Sequence, residues 1–121
     1  MRAVICAMLM ALTVTAAIAE EDRRSANYLL PGCRWWTTET GSSPEMFFKA
    51  GLCAGKVEGI AFILDLGVVG VGLCADIPPG VTTAQEIRVV VAYIEARPNK
   101  THEDFDRLAI EALREAWPCR D

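Results

Sequence analysis

Cys33, Cys53, Cys74 and Cys119 constrain this chain more than any other residues. A fifth cysteine, Cys6, lies in the opening stretch MRAVICAMLMALTVTAAIA. There a basic residue, an apolar run and Ala17-Ile18-Ala19 have the order of an export signal with its cleavage site. Loss of residues 1–19 removes Cys6 and leaves an even set. A small exported domain has little room for a large apolar core, and four cysteines in one read as two disulfides. Counting alone leaves three pairings open. No two are spaced as CxxC, which speaks against a zinc ribbon or a thioredoxin-type centre, and neither metal nor cofactor is expected.

The expected organisation is a signal peptide over 1–19, a charged flexible tail over 20–26 (EEDRRSA) and one helical domain over 27–119. Losing Arg2 with the leader removes one positive charge and takes the net charge from −4 to −5. An acidic balance argues against nucleic acid, which calls for a basic patch, and leaves protein partners open. No second membrane segment follows the leader. The apolar run 59–74 carries Asp65 and several glycines, so it reads as a buried helix and a loop.

Helix signals dominate the rest. Asn27 to Leu30 suits a single turn, stopped near Pro31-Gly32. Ser43, Pro44 and Glu45 start a helix that runs to about Leu66 and ends at Gly67. Thr82 and Gln85 form a capping box ahead of Ile87, Val90, Val91 and Ile94, one apolar face at helical spacing. Pro98 ends that helix. Thr101 caps the last one, with Glu103 and Asp104 in its first turn. Its buried face is Phe105, Leu108, Ala109, Ala112, Leu113, Ala116 and Trp117. The fold class is therefore all-α, a small disulfide-bonded bundle of about four helices. The short connection folds the last two helices back on each other. That brings Cys74 near Cys119 and favours this pair, leaving Cys33 with Cys53.

Gly51, Gly55 and Gly59 recur once per turn in the long central helix, although each costs about 1 kcal/mol relative to alanine. They mark one side of the helix as a groove. Close packing by the last two helices is the expected use; a homodimer seam or a partner's docking face is the alternative.

No catalytic constellation appears. The sequence lacks GxSxG, HExxH, GxGxxG and P-loop motifs. His102 reads as a solvated residue at a helix start, and the cysteines have a structural use. Catalytic residues are expected to be none. Two segments stand out instead as candidate partner contacts. Trp35 and Trp36 are adjacent, so they point in different directions, and tryptophan is enriched at binding hot spots. Val68, Val69 and Val71 sit in a glycine-punctuated loop, the kind of element that carries function on a rigid scaffold. For both segments, burial in irregular structure is the alternative.

Taken in order, ANYLLPGC, FFKAGLCAGKVEGIAF, LCADIPPGVTTAQEIRVVVAYIEARP and HEDFDRLAIEALREAWPC resemble the Rap/Tai family of immunity proteins associated with type VI secretion. The resemblance spans about residues 25–119 and rests most on Cys53-x-Gly55-x-x-x-Gly59, the Cys74 to Gly80 connection with Pro78, and Ala116-Trp-Pro-Cys119. It implies a non-enzymatic, disulfide-bonded periplasmic protein of a Gram-negative bacterium. Its partner would be a peptidoglycan amidase effector, blocked sterically by a loop or helix end, and homodimers are frequent in the family. It supports scaffold roles for Cys33, Cys53, Gly55, Gly59, Cys74, Pro78 and Cys119 and carries over no contact residues. The alternative is an HdeA-like periplasmic acid-stress chaperone, opened by self-repulsion when its carboxylates are neutralised.

Overall fold

The computed structural model describes residues 21–120, so the expected signal peptide, with Cys6, lies outside the described residues. Among the described residues there are four α-helices and two short 3₁₀ turns: α1 Ala26–Thr38, α2 Pro44–Leu66, α3 Thr83–Glu95 and α4 Phe105–Ala116, with 3₁₀ turns at Val69–Val71 and Pro98–Lys100. Helix α2 packs against each of the other three. The core is one cluster built from all four helices, including Leu29, Val57, Leu64, Ile87, Ile94, Phe105, Leu108 and Leu113. Burial of these side chains is the main driving force for so small a domain.

Helix α1 departs from the single turn that Pro31-Gly32 predicts. It runs through both residues to Thr38. Proline there removes one helical hydrogen bond. The turn before it is held by other means: the Ser25 hydroxyl caps the Tyr28 N–H, and the Ala26 and Asn27 N–H groups donate to the carbonyls of Glu103 and Thr101. Gly32 is present for contact rather than termination. A Cβ built on it would lie 2.3 Å from the carbonyl carbon of Lys49 and 2.5 Å from its oxygen. This is where α1 and α2 approach backbone to backbone.

The same bonds shorten the expected tail. Ser25 and Ala26 are buried, and Arg24 accepts the Phe105 N–H at 2.8 Å. Helix α4 consequently starts later than Thr101 predicts. Asp104 is its N-cap and accepts the Asp106 N–H at 3.0 Å, while Thr101 bonds back to Pro98. His102 is exposed in the loop before that helix.

Other signals hold as read. Ser43 caps α2 with Pro44 in its first turn, and Gly67 ends it at φ 70°, in the left-handed region that favours glycine. The Thr82–Gln85 capping box is complete in both directions. Ile87, Val90, Val91 and Ile94 are all buried. On α4, Phe105, Leu108, Ala109, Ala112 and Leu113 are buried, whereas Ala116 at the final turn is exposed.

The disulfides are Cys33–Cys53 and Cys74–Cys119, with Cα atoms 5.4 Å and 5.7 Å apart. The first ties α1 to α2. The second ties the connection after α2 to the end of α4, where the Asp76 N–H also donates to the Trp117 carbonyl at 3.0 Å and Asp76 pairs with Arg120. Closing loops of these lengths stabilises a chain by roughly 3–4 kcal/mol each in the chain-entropy account.

Candidate partner-binding surface

The glycine stripe is not where the helices meet. Gly51, Gly55 and Gly59 are exposed, and a Cβ added to any of them meets nothing within 4 Å. The expected close packing by the last two helices is therefore overturned. Cys53 and Val57, both buried, face the bundle instead. The period signalled a face, but a face bare of side chains fits an outer surface as readily as an inner one. Gly55 and Gly59 border an open apolar groove of about 350 Å³ with Ile60, Ile63, Leu73 and Ile110. Across it the Lys56 ammonium donates to both oxygens of Asp106 at 2.8 Å, clamping α2 to α4.

Nor is the apolar run after Gly59 a buried helix throughout. Phe62, Ile63 and Leu66 are about half exposed or more, at spacings that place them on one side of the last turns of α2. Val68 and Val71 continue this exposure into the following loop, with Val71 67% accessible. Five large apolar side chains in so short a stretch of surface are the kind of patch that marks an interaction site. The loop that carries two of them is well anchored. Val68 and Leu73 form an isolated antiparallel bridge, the backbone between them makes a 3₁₀ turn at Val69–Val71, and Gly72 has φ 67°. The Gly67 and Ala75 N–H groups both donate to the Leu64 carbonyl, and Cys74 is fastened to Cys119. Pro78 lies just beyond, exposed in the turn leading to α3.

Trp35 and Trp36 sit elsewhere, at the α1–α2 junction, and both are half-buried. The Trp36 indole N–H donates to the Ala50 carbonyl at 3.0 Å, and that of Trp35 to the Gly41 carbonyl at 3.1 Å. Their rings meet edge to face at 5.5 Å, and Trp35 meets the Phe47 ring at 5.8 Å. With both N–H groups satisfied, the pair fastens the α1–α2 corner.

Titratable groups divide the surface further. Burial pushes the Glu111 carboxyl up. Hydrogen bonds from Tyr93 and Arg107, and the charges of Lys100 and Arg107, outweigh that and hold it below the usual range. Burial and the Glu111 bond raise the Tyr93 phenol. These groups knit α3 to α4. Near the start of α3, Glu86 is 8% exposed, and burial first, then the neighbouring Glu58 charge, raise its carboxyl.

The four described cysteines are all oxidised in pairs, so none of them is a thiol nucleophile. No helix among the described residues is long and apolar enough to cross a membrane. What the geometry defines is a cross-linked helical bundle that presents a firm apolar surface, the form of a binding protein. The family model of Rap1a immunity proteins matches residues 25–119, and the chain belongs to that family. No curated protein and no solved structure is similar enough to the chain to match it.

Proposed function

We propose that this protein is exported to the periplasm and there binds and sterically blocks a peptidoglycan amidase toxin delivered by type VI secretion. Membership of the immunity family supports a toxin as partner. The observation that carries the surface assignment is the exposed patch formed by Phe62 and Leu66 at the end of α2 and by Val68 and Val71 on the following loop, which is anchored at its base. A plug that excludes substrate gains by being ordered before it binds, because little conformational freedom is then lost on docking. The valine loop has that property. The Trp35–Trp36 corner already uses its polar groups internally and contributes to the rim at most.

The open Gly55–Gly59 groove supports a second contact of the same protein, a seam between two copies. There the missing side chains let another helix approach, and Ile60 and Ile63 supply apolar area.

The test is titration of the mature chain into the amidase encoded beside it, followed by calorimetry, with survival of toxin-exposed cells expressing the chain as the companion measurement. Tight stoichiometric binding and survival are expected. Absence of both would remove the immunity reading. Sedimentation of the chain alone, with and without Gly55→Leu, tests the seam: loss of a dimer on substitution is expected, and a monomer at all concentrations refutes it.

A further inference from the structure

Beside the start of α3, a cleft of about 460 Å³ opens between α2 and the Pro78–Gly80 turn. Three carboxylates line it: Glu58 and Asp65 from α2 and Glu86 from α3. No lysine or arginine lines it. Among the described residues, none of the three side chains makes a hydrogen bond or an ion pair, although nine other acidic side chains do so elsewhere on the molecule.

Glu86 is the decisive member. Only 8% of its surface is accessible and its carboxylate has no partner on the protein, so the narrow opening its oxygens keep to solvent is what offsets the cost of an unpaired charge there. It feels the charge of Glu58 on the same cleft, and its oxygens are not sealed from solvent, so the side on which they open is the cleft. The flanking walls are apolar: Phe62, a residue 62% exposed, with Ile77 and Pro78.

We propose that this cleft seats an arginine side chain of the protein partner. Carboxylates on more than one wall suit a guanidinium, whose five N–H donors fan out in a plane, and the Phe62 ring offers a face for stacking. The apolar walls cover the methylene stem. No group of three acidic, histidine or cysteine side chains among the described residues is disposed to hold a metal ion, which favours an organic cation. The identity of the partner rests on the immunity reading; the affinity for a guanidinium belongs to the cleft itself.

The probe is N-acetyl-arginine N-methylamide, titrated into the isotope-labelled mature chain and followed by amide NMR shifts. Its neutral isostere, the citrulline counterpart, is the control. Saturable shifts at Gly80, Val81 and Glu86 are expected with arginine and not with citrulline, weakened at least tenfold by Glu86→Gln. The double variant Glu58→Gln/Asp65→Asn, which alters only exposed carboxylates, is expected to weaken the probe at least threefold. Equal response to citrulline, no response at the cleft, or unchanged affinity in both variants overturns the assignment. With the amidase, a wild-type complex that Glu86→Gln leaves unweakened overturns the partner claim. Failure of the wild type to bind the amidase at all removes the immunity reading and leaves the probe titration to decide the cleft.

Discussion

Gly32 of α1 lies against the main chain of Lys49 in α2, so closely that a methyl group there would fall 2.3 Å from the Lys49 carbonyl carbon. The obstacle is backbone, held on either side by α2 hydrogen bonds, and it has no rotamer by which to move. Gly32→Ala is therefore expected to lower stability by about 2–3 kcal/mol, from overpacking that separates the two helices. Urea denaturation of the oxidised protein measures this. A loss below about 0.5 kcal/mol would show that the contact relaxes freely.

Gly51 should respond in the opposite sense. It is helical and open to solvent, so Gly51→Ala adds no clash and raises helix propensity. A gain of about 0.5–1 kcal/mol is expected in the same denaturation experiment. The pair of variants, on two helices in contact, separates a glycine required by packing from one that packing ignores.

Replacing Val71 by Glu tests the proposed plug. The side chain is solvent-exposed, so folding stability should change by less than about 0.5 kcal/mol. Affinity for the amidase should fall at least about 100-fold, which corresponds to roughly 2.7 kcal/mol. Unchanged affinity in calorimetry would move the contact elsewhere on the molecule.

The pH dependence of stability carries two opposed contributions. Glu86 has its carboxyl raised in the folded protein, by burial and then by Glu58, so the folded state binds the proton more tightly than the unfolded one. Its ionisation weakens the fold as pH rises from the unfolded carboxylate value through the raised folded one. Glu86→Gln is thus expected to stabilise the protein at neutral pH, and the advantage should vanish at about pH 3, where the unfolded carboxyl is also protonated. Glu111 is depressed and behaves in reverse. Its contribution is complete above the unfolded carboxylate value and is lost as pH falls through the folded one, so Glu111→Gln should cost most at neutral pH. Thermal melts across pH 3–7 read both.

Tyr93→Phe removes the phenol that donates to Glu111 at 2.9 Å, and a loss of about 1–1.5 kcal/mol is expected. A double-mutant cycle with Glu111→Gln checks that the two losses are not additive.

Local signals were the readable part of this fold. The Ser43-Pro44 start, the Gly67 stop and the Thr82–Gln85 box depend on residues three or four apart, and each sits where the sequence places it. The disulfide pairing was readable because it follows from the shortness of one connection. The continuation of α1 through Pro31 was not, since its first turn is held by carbonyls of Thr101 and Glu103, far along the chain. The glycines misled for a related reason. Spacing shows that three of them share a face but not what the face meets, and the one glycine pressed against a neighbour, Gly32, has no periodic companion to announce it. Of the candidate surface, the loop valines could be named from their glycine-rich setting. The acidic cleft could not, because Glu58, Asp65 and Glu86 come together only when α3 folds onto α2.

The two sulfur bridges span consecutive stretches of chain, the first closed at Cys53 before the second opens at Cys74. A mature polypeptide, freed of Cys6 with its leader and threading out of a pore with its N-terminus leading, would meet an oxidant with one eligible pair at a time. On the export route proposed above, joining each mature cysteine to the next one to emerge yields this connectivity directly, so no reshuffling by an isomerase is expected.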